Sequence, residues 1–178
     1  MKGLFLDRDG VINIDYGYVY KKEKFVFIDG IFNLVKQAKL KDYKIVIITN
    51  QSGIGRGYYS ERDFLLLTKW MKEVFIKNDA PIDKVYYSPY HPIFGIGKYK
   101  KNEKTRKPNP GLILKAQKRL NISLKHSILI GDKLSDIQAG KNSGIKKNIL
   151  FKNKRSFISK NKDFFEIGNL IDALKFLD

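Results

Sequence analysis

Two aspartates separated by one residue, Asp7 and Asp9, stand near the start of the chain, directly after the apolar run Leu4-Phe5-Leu6. A carboxylate can attack phosphorus and form an acyl-phosphate, which divides the hydrolysis of a phosphate ester into two easier steps. A second carboxylate can protonate the leaving oxygen and then activate water. An isolated Asp-x-Asp pair is more often a solvated turn, but the apolar run before it and Gly10 after it favour a chemical role.

A second polar cluster, Thr49-Asn50-Gln51-Ser52-Gly53, follows the apolar run 44–48. A hydroxyl and successive backbone N–H groups at a strand-to-helix turn can cradle phosphate oxygens. In isolation, an ordinary Asn/Ser/Gly turn is equally compatible with these residues. Gly53, Gly55 and Gly57 do not complete a Walker motif, since that motif needs Gly-Lys followed by Ser or Thr.

The basic pair Arg106-Lys107 precedes Pro108 and forms a third cluster. A lysine beside the nucleophile would offset the charge of two aspartates and of an incoming phosphate. An arginine offers a bidentate fork to a second anionic or hydroxylated part of a substrate. The alternative is a basic loop on a basic protein, which the pair alone would favour.

The fourth cluster is Gly131-Asp132-Lys133-Leu134-Ser135-Asp136. Asp132 could complete an oxygen-rich magnesium site with Asp7, because magnesium prefers few carboxylates together with waters and a substrate phosphate. Asp136, in the first turn of the next predicted helix, could stabilise that helix end or orient the site. We expect a direct metal role of Asp132 rather than of Asp136.

Apolar runs alternate with segments of helical period, which predicts an α/β fold with a parallel sheet. The four clusters follow predicted strands or a loop, and ligands of open parallel sheets bind outside the carboxyl ends of the strands. We therefore expect the clusters to converge. Strands are predicted at residues 3–6, 44–48, 85–87, 127–130 and 149–151.

Besides the helix that contains Asp136, four helices are predicted from their apolar positions. Residues 88–110 are predicted to form a long loop. Loops of this length are usually functional or mobile. With no repeat and no linker, a single domain over residues 1–178 is the simplest organisation. The helices are marked by Ile31, Leu34, Val35 and Ala38; by a Ser60 N-cap followed by Leu67, Trp70, Met71, Val74 and Phe75; by Leu112, Ala116 and Leu120; and by Ile167, Leu170, Ile171 and Leu174.

Composition narrows the class of protein. The chain contains no cysteine, which excludes disulfides and thiolate metal sites. No apolar run could cross a bilayer, and Asp7 leaves no room for a signal-peptide core, so we expect a cytoplasmic protein without a membrane partner. The net charge of +17 could mark a polyanion partner. Lysines are spread over almost every predicted element, however, which favours a general lysine bias and makes a nucleic-acid partner unlikely.

Together the four clusters resemble the signature motifs of the haloacid dehalogenase (HAD) superfamily over about residues 3 to 150. The variants Asp-Arg-Asp-Gly, Thr-Asn-Gln-Ser-Gly and Gly-Asp-Lys are similar to the branch that holds heptose-bisphosphate phosphatases and histidinol-phosphatases. Residues 15–19 and 27–30 add local similarity to the heptose enzymes. The resemblance implies a Rossmann-like HAD core, with a parallel sheet flanked by helices and no large cap domain.

The resemblance also implies roles for individual residues. Asp7 would be the nucleophile and Asp9 the acid/base, while Thr49 and Lys107 would hold the phosphoryl group. Magnesium would lie on Asp7, Asp132 and the backbone carbonyl of Asp9. The residues expected to contact the substrate are Asp15, Gly17, Tyr18, Asn50, Gln51, Ser52, Arg106 and Lys133.

One departure from the family concerns zinc. Relatives commonly hold a structural zinc with a Cys-x-His and a Cys-x-Cys pair, where this chain has Ser88-Pro89-Tyr90-His91 and Glu103-Lys104-Thr105. A tetrahedral zinc site needs about four N or S ligands, and His91 alone qualifies. We predict no zinc. The loop would then be held by packing of tyrosines or be partly mobile; the candidates are Tyr86, Tyr87, Tyr90 and Tyr99.

The resemblance implies removal of the 7-phosphate of D-glycero-D-manno-heptose 1,7-bisphosphate, a small phosphorylated sugar. A monomer is the default expectation for the oligomeric state. Histidinol-phosphate phosphatase and nucleic-acid 3′-phosphatase are the alternatives within enzymes. A bisphosphate suits the positive charge of the chain better than histidinol, which carries an amine. A catalytically silent binding module is the alternative outside enzymes, but such a module would need neither Asp7 nor Asp9.

Overall fold

Seven strands form one sheet in the computed structural model, which describes residues 1–160 and 163–178. The strands are β1 (Lys2–Leu6), β2 (Tyr43–Asn50), β3 (Lys84–Ser88), β4 (Ile128–Gly131), β5 (Lys147–Phe151), β6 (Ile158–Lys160) and β7 (Phe165–Ile167). Their order across the sheet is β3-β2-β1-β4-β5-β7-β6. All neighbours are parallel except β6 and β7. The predicted α/β class is confirmed.

The interior strand β1 pairs with β2 on one side and β4 on the other. Leu4, Phe5 and Leu6 are fully buried. A strand covered on both faces reads as a continuous apolar run rather than an alternating one, which is why the sequence pattern identified it. The chain leaves this strand at Asp7, between the ends of β2 and β4.

The described residues form five α-helices: α1 (Ile31–Leu40), α2 (Ser52–Gly55), α3 (Glu61–Lys77), α4 (Gly111–Leu120) and α5 (Leu134–Ser143). All except the single turn α2 pack on the sheet. The predicted N-cap of α3 is confirmed. Asp63 N donates to Ser60 Oγ at 3.1 Å, and Ser60 N donates to Asp63 Oδ2 at 2.9 Å. This reciprocal capping box satisfies backbone donors that a helix start leaves free.

The core has two main layers, one on each face of the sheet. Successive side chains of a strand point to opposite faces, so Leu4 and Leu6 pack with α1 and α3, whereas Phe5 packs with α4 and α5. The same alternation divides β2, where Ile45 and Ile47 join the first layer. Helices on both faces fix the strand ends rigidly, and the polar clusters are attached to those ends.

The carboxyl-terminal part of the chain differs from its prediction. A single helix through Ile167, Leu170, Ile171 and Leu174 is wrong: Ile167 ends β7, and a 3-10 helix runs over Leu170–Phe176. Ile171 is half-exposed. Strands β6 and β7 were not predicted, because three-residue strands are too short to show a period. Across the described residues, no helix combines the length and apolar character needed to cross a membrane.

Candidate active site

Lys107 connects three elements beneath the carboxyl edge of the sheet. Its Nζ lies 2.9 Å from Asp7 Oδ1 and 2.6 Å from Asp136 Oδ1, and it donates to the carbonyl of Ile48 at 3.0 Å. Less than a tenth of each of the three charged side chains is exposed. Buried charges of this kind are tolerated only when they are paired, so the lysine and the two aspartates stabilise one another's position.

Asn50 holds the loop that delivers Lys107. Its side-chain amide donates to the Lys107 carbonyl at 3.1 Å, and Lys107 N donates to Asn50 Oδ1 at the same distance. Asn50 is the last residue of β2, so the clamp ties the loop to a fixed strand end. The sequence predicted Asn50 as a substrate contact; the structure adds this positioning contact.

The pKa values of the charged groups follow from burial and pairing. Burial raises the pKa of Asp7 to about 7, against the attraction of Lys107 and with the support of Asp136 and Asp132. Burial likewise raises the pKa of Asp132 to about 6. Burial alone would lower the pKa of Lys107, but the carboxylates of Asp136 and Asp7 outweigh it and raise that pKa above its usual value. Lys107 therefore stays charged.

Asp7, Asp132 and Asp136 form an acidic cluster. Each offers one carboxylate oxygen, and these three atoms lie within 4.8 Å of one another. Asp132 Oδ1 is buried and has no hydrogen-bond partner among the described residues. A buried carboxylate oxygen without a donor is costly, and an oxygen-only set suits a hard divalent cation. We call Asp7, Lys107, Asp132 and Asp136 the floor of the site.

Gly10 allows Asp132 to approach the floor. A Cβ at this glycine would stand 2.3 Å from Asp132 Oδ2, and its φ of +90° is a conformation that side-chain-bearing residues rarely adopt. The sequence singled out Gly10 only as the end of the first motif. The close approach gives the physical reason for a glycine at this position.

Asp9 is held by three neighbours. Arg8 donates through Nε at 3.1 Å and through Nη2 at 2.8 Å, Asn13 Nδ2 donates at 3.0 Å, and Gln51 Nε2 donates at 2.9 Å. Arg8 is 1% exposed and also donates to the Val19 carbonyl at 2.6 Å. Sequence reasoning missed Arg8 and Asn13. An arginine between two aspartates after a buried strand was the available signal, because such a charge must find partners.

Gln51 connects Asp9 with Thr49. Its Nε2 also donates to Thr49 Oγ1 at 2.9 Å, and its Oε1 accepts from the hydroxyl of Tyr59. Gln51, Thr49 and Tyr59 are all buried. Tyr59 was not among the predicted site residues, since it lies outside every motif.

One cavity of about 600 Å³ opens above the floor. Its wall includes the four predicted catalytic residues and every predicted substrate-binding residue, and it adds Tyr59, Pro108, Ser135 and Asp136. The structure therefore brings together predicted residues from five separate segments, whereas the predicted metal residue Asp132 lines a neighbouring cavity with Gly10 and Asp15. The predicted residues in the wall are Asp7, Asp9, Asp15, Gly17, Tyr18, Thr49, Asn50, Gln51, Ser52, Arg106, Lys107 and Lys133.

The rim of the cavity is polar and more exposed. Lys133 Nζ lies 3.1 Å from Asp15 Oδ2, and 58% of the lysine side chain is accessible. Arg106 Nη1 donates to the Tyr90 carbonyl at 3.0 Å. Burial lowers the pKa of Arg106, and the nearby charge of Arg56 acts in the same direction. We call Asp15, Tyr18, Arg106 and Lys133 the mouth of the site.

Hydrogen bonds and ring contacts hold the loop after β3. His91 Nδ1 accepts from the backbone N–H groups of Ile93 and Phe94 at 3.2 and 3.1 Å, so this nitrogen is engaged within the loop. The rings of Tyr90 and Tyr99 pack at 6.0 Å, as the predicted tyrosine packing requires. The absence of zinc itself stays a prediction.

Comparisons with known proteins identify the family of this chain. Residues 92–149 match the family model for haloacid dehalogenase-like hydrolases. The D-glycero-alpha-D-manno-heptose-1,7-bisphosphate 7-phosphatase of Burkholderia mallei is 57% identical over 149 residues, which cover 84% of this chain and 79% of that protein. The corresponding beta-heptose enzyme of Haemophilus influenzae is 46% identical over 149 residues, with 84% and 80% covered.

A solved structure shares the fold. The D,D-heptose 1,7-bisphosphate phosphatase from B. bronchiseptica, complexed with magnesium and phosphate, superposes with a TM-score of 0.82. The match covers 98% of this chain and 97% of that one at 23% identity, so it supports the fold alone. Together with the identity to the curated relatives, these findings show that the chain belongs to the haloacid dehalogenase-like hydrolase family and is a phosphatase.

Proposed function

We propose that this phosphatase removes the 7-phosphate of D-glycero-D-manno-heptose 1,7-bisphosphate through an aspartyl-phosphate on Asp7. In the first step an oxygen of Asp7 bonds to phosphorus while the ester bond to the sugar oxygen breaks. Asp9 gives its proton to that leaving oxygen. In the second step Asp9 takes a proton from water, the water oxygen attacks phosphorus, and inorganic phosphate leaves Asp7 free again.

The floor supports the first step by its charges. Asp7 attacks as a carboxylate, and Lys107 at 2.9 Å favours that charged form. The ammonium group also offsets negative charge that accumulates as the phosphoryl group approaches. Asp136 keeps Lys107 in place from the other side at 2.6 Å. Thr49 lies in the same cavity wall, and its hydroxyl hydrogen remains free to bind a phosphoryl oxygen while Oγ1 accepts from Gln51.

Magnesium fits the oxygen donors of the floor. Asp7, Asp132 and the backbone carbonyl of Asp9 would hold the ion, and the buried Asp132 Oδ1 without a hydrogen-bond partner supports this set. Asp136 is paired with Lys107 and is therefore the weaker candidate for direct ligation. When bound, the ion supplies positive charge that offsets the carboxylates and the substrate phosphate.

The observation that carries the substrate proposal is the separation of charge within one cavity. Asp7 and Lys107 lie at its floor, whereas Arg106 and Lys133 lie at its mouth. Lys107, together with the cation that the carboxylates of the floor would hold, could bind one phosphate, and the basic side chains at the mouth could bind a second within the same cavity of about 600 Å³. The 57% identical relative is named for a substrate with two phosphates. A cytoplasmic location and a monomeric state accompany this proposal as predictions.

The test is phosphate release with magnesium over a panel of phosphate esters. The panel comprises both anomers of heptose 1,7-bisphosphate, fructose 1,6-bisphosphate, histidinol phosphate and a 3′-phosphorylated oligonucleotide. We expect kcat/KM for one heptose anomer to exceed kcat/KM for each of the three other esters by at least about a hundredfold. This ratio corresponds to a difference of about 2.7 kcal/mol in transition-state stabilisation.

The Asp7→Asn variant, prepared in parallel, controls for contaminating phosphatases. Preference for histidinol phosphate or the oligonucleotide would overturn the substrate proposal while leaving the chemistry in place. Equal, slow turnover of every ester would contradict the two-phosphate argument. The ratio between the two heptose anomers identifies the natural configuration at the anomeric carbon.

A further inference from the structure

Tyr59 is an uncharged residue in the wall of the active-site cavity. Hydrogen bonds through Gln51 connect it to Asp9, the proposed acid/base. The hydroxyl of Tyr59 donates to Gln51 Oε1, and the nitrogen of the same amide donates to Asp9 Oδ2 and Thr49 Oγ1, each at 2.9 Å. Within this series of hydrogen bonds, Tyr59 and Gln51 are buried. The series connects a tyrosine outside all four motifs to two of the proposed catalytic side chains.

The orientation of the Gln51 amide follows from its partners. Gln51 Nε2 donates to Asp9 Oδ2, and an ionised carboxylate only accepts hydrogen bonds, so the NH2 end of the amide faces Asp9. This NH2 group donates both of its hydrogens, one to Asp9 and one to Thr49. The oxygen end is then turned away from the carboxylate and needs a donor, because a buried amide oxygen without one is destabilising. Tyr59 is that donor.

The position of the Tyr59 ring is determined by close packing. The ring stacks on Tyr20 with centroids 5.0 Å apart and planes 11° from parallel. A Cβ at Gly53 would lie 2.2 Å from Tyr59 Cε1, so only glycine leaves room for the ring. Burial also raises the pKa of Tyr59 above its usual value, which keeps the hydroxyl protonated as a donor.

We infer that Tyr59 is a positioning residue that fixes the Gln51 amide and, through it, the side chain of Asp9. The inference rests on the proposed function, because it assumes that Asp9 protonates the leaving oxygen. Without the Tyr59 hydroxyl, the Gln51 amide can rotate or draw in water. Asp9 then loses one of the three neighbours that hold it, while Arg8 and Asn13 remain. Proton donation is the step that suffers first.

The test compares two leaving groups in the Tyr59→Phe variant. A sugar alkoxide leaves only with a proton, whereas the phenolate of p-nitrophenyl phosphate leaves as a stable anion and needs little acid help. We expect kcat/KM for the heptose bisphosphate to fall about tenfold and kcat/KM for p-nitrophenyl phosphate to change less than about twofold. Both values come from one preparation, so partial unfolding cancels in their ratio.

The Tyr87→Phe variant is the matched control. Tyr87 also donates its hydroxyl to a side chain, Glu61 Oε1 at 3.3 Å, but it lies outside the wall of the active-site cavity. Its ratio of the two kcat/KM values should equal that of the unmodified protein. An equal loss for both leaving groups in Tyr59→Phe, or no loss for either, would overturn the inference.

A second experiment separates this inference from the proposed function. In 15N-labelled protein, the side-chain NH2 signal of Gln51, assigned by its disappearance in Gln51→Met, reports the amide directly. We expect its hydrogens to exchange with solvent at least about tenfold faster in Tyr59→Phe than in the unmodified protein. Unchanged exchange would contradict the positioning role even if the enzyme proved to prefer another phosphate ester.

Discussion

The floor and the mouth of the cavity use the same kinds of charged side chains under opposite conditions. On the floor, Asp7, Lys107 and Asp136 are each less than a tenth exposed and lie within 3 Å of a partner. At the mouth, the pair Lys133–Asp15 is only slightly longer, 3.1 Å, but 58% of the lysine and 32% of the aspartate side chain are accessible. The two regions therefore differ mainly in the solvent exposure of their charged side chains, and much less in the distance between the paired charges.

The contrast separates chemistry from recognition. Away from water, charges interact strongly and hold one another in fixed positions, which suits nucleophilic attack on phosphorus. In water, ion pairs are weak and exchange partners at little cost, which suits binding and release of substrate. We expect substitutions on the floor to affect turnover and stability, and substitutions at the mouth to affect KM.

The largest effect is expected for Asp7→Asn, which removes the nucleophile. Turnover of every phosphate ester should fall by at least about ten-thousandfold, the scale seen when a covalent nucleophile is removed, while circular dichroism shows a folded protein. Asp29→Asn is the matched control, since Asp29 is exposed and lies outside the cavity wall. A residual activity of even a tenth would assign nucleophilic attack to another group.

The next effect is expected on stability, from Lys107→Met. This change leaves Asp7 and Asp136 buried without their cation, and removing one partner of a buried ion pair costs about 3–5 kcal/mol. Urea unfolding in metal-free buffer measures it. Lys36→Met is the control for an exposed pair, Lys36–Asp79 at 3.2 Å, and should cost less than about 1 kcal/mol. An equal loss of unfolding free energy in the two variants would contradict the claim that ion pairs on the floor stabilise the protein more than ion pairs on the surface.

A smaller effect is expected from pH, with its sign set by Asp7. Burial raises the pKa of this group to about 7 from its ordinary 3.8, so its contribution to stability is complete below about pH 4 and is lost as pH rises through 7. Asp7→Asn cannot ionise. The variant should therefore gain stability relative to the unmodified protein by roughly 2 kcal/mol between pH 5 and pH 8 in metal-free buffer.

Urea unfolding at several pH values, with and without magnesium, measures this difference. Saturating magnesium should shrink it, because a bound cation favours the ionised carboxylate. A gain of the variant that is the same at pH 5 and pH 8 would show that Asp7 does not carry a raised pKa.

The smallest effect is expected at the mouth, from Arg106→Ala. If Arg106 binds the second phosphate, KM for the heptose bisphosphate should rise about tenfold or somewhat more while kcat is nearly unchanged, since the contact serves binding rather than the reacting bond. KM for p-nitrophenyl phosphate, which has no second phosphate, should stay the same. A fall in kcat for both esters would place Arg106 with the floor instead.

The regular part of the fold was predictable because burial leaves a pattern in the sequence. The first five strands were found as apolar runs, and the Ser60 cap of α3 was found from Asp63 three residues later. The short strands β6 and β7 and the 3-10 helix Leu170–Phe176 carry no comparable period. The predicted closing helix failed there because apolar residues of two different elements happened to share a helical spacing.

The sequence predicted those site residues that lie at the carboxyl ends of strands. Asp7, Thr49 and Asp132 follow or end strands, so the parallel sheet brings them to one edge. Arg8 and Tyr59 were missed for opposite reasons. Arg8 stands within a motif but acts by being buried against Asp9, and Tyr59 reaches Gln51 across a turn that no motif marks.

The sequence by itself determined the order of the strands along the chain, the apolar layers and the residue types available for phosphate chemistry. Only the tertiary structure decided which charges are buried together, that Asn50 clamps the backbone of Lys107, and that Asp132 lies against Gly10. The physical reason is the difference in how these interactions depend on sequence and on distance. Hydrophobic burial is non-directional and leaves a period over many residues, whereas ion pairs and hydrogen bonds depend on a few ångströms between segments that lie far apart in the chain.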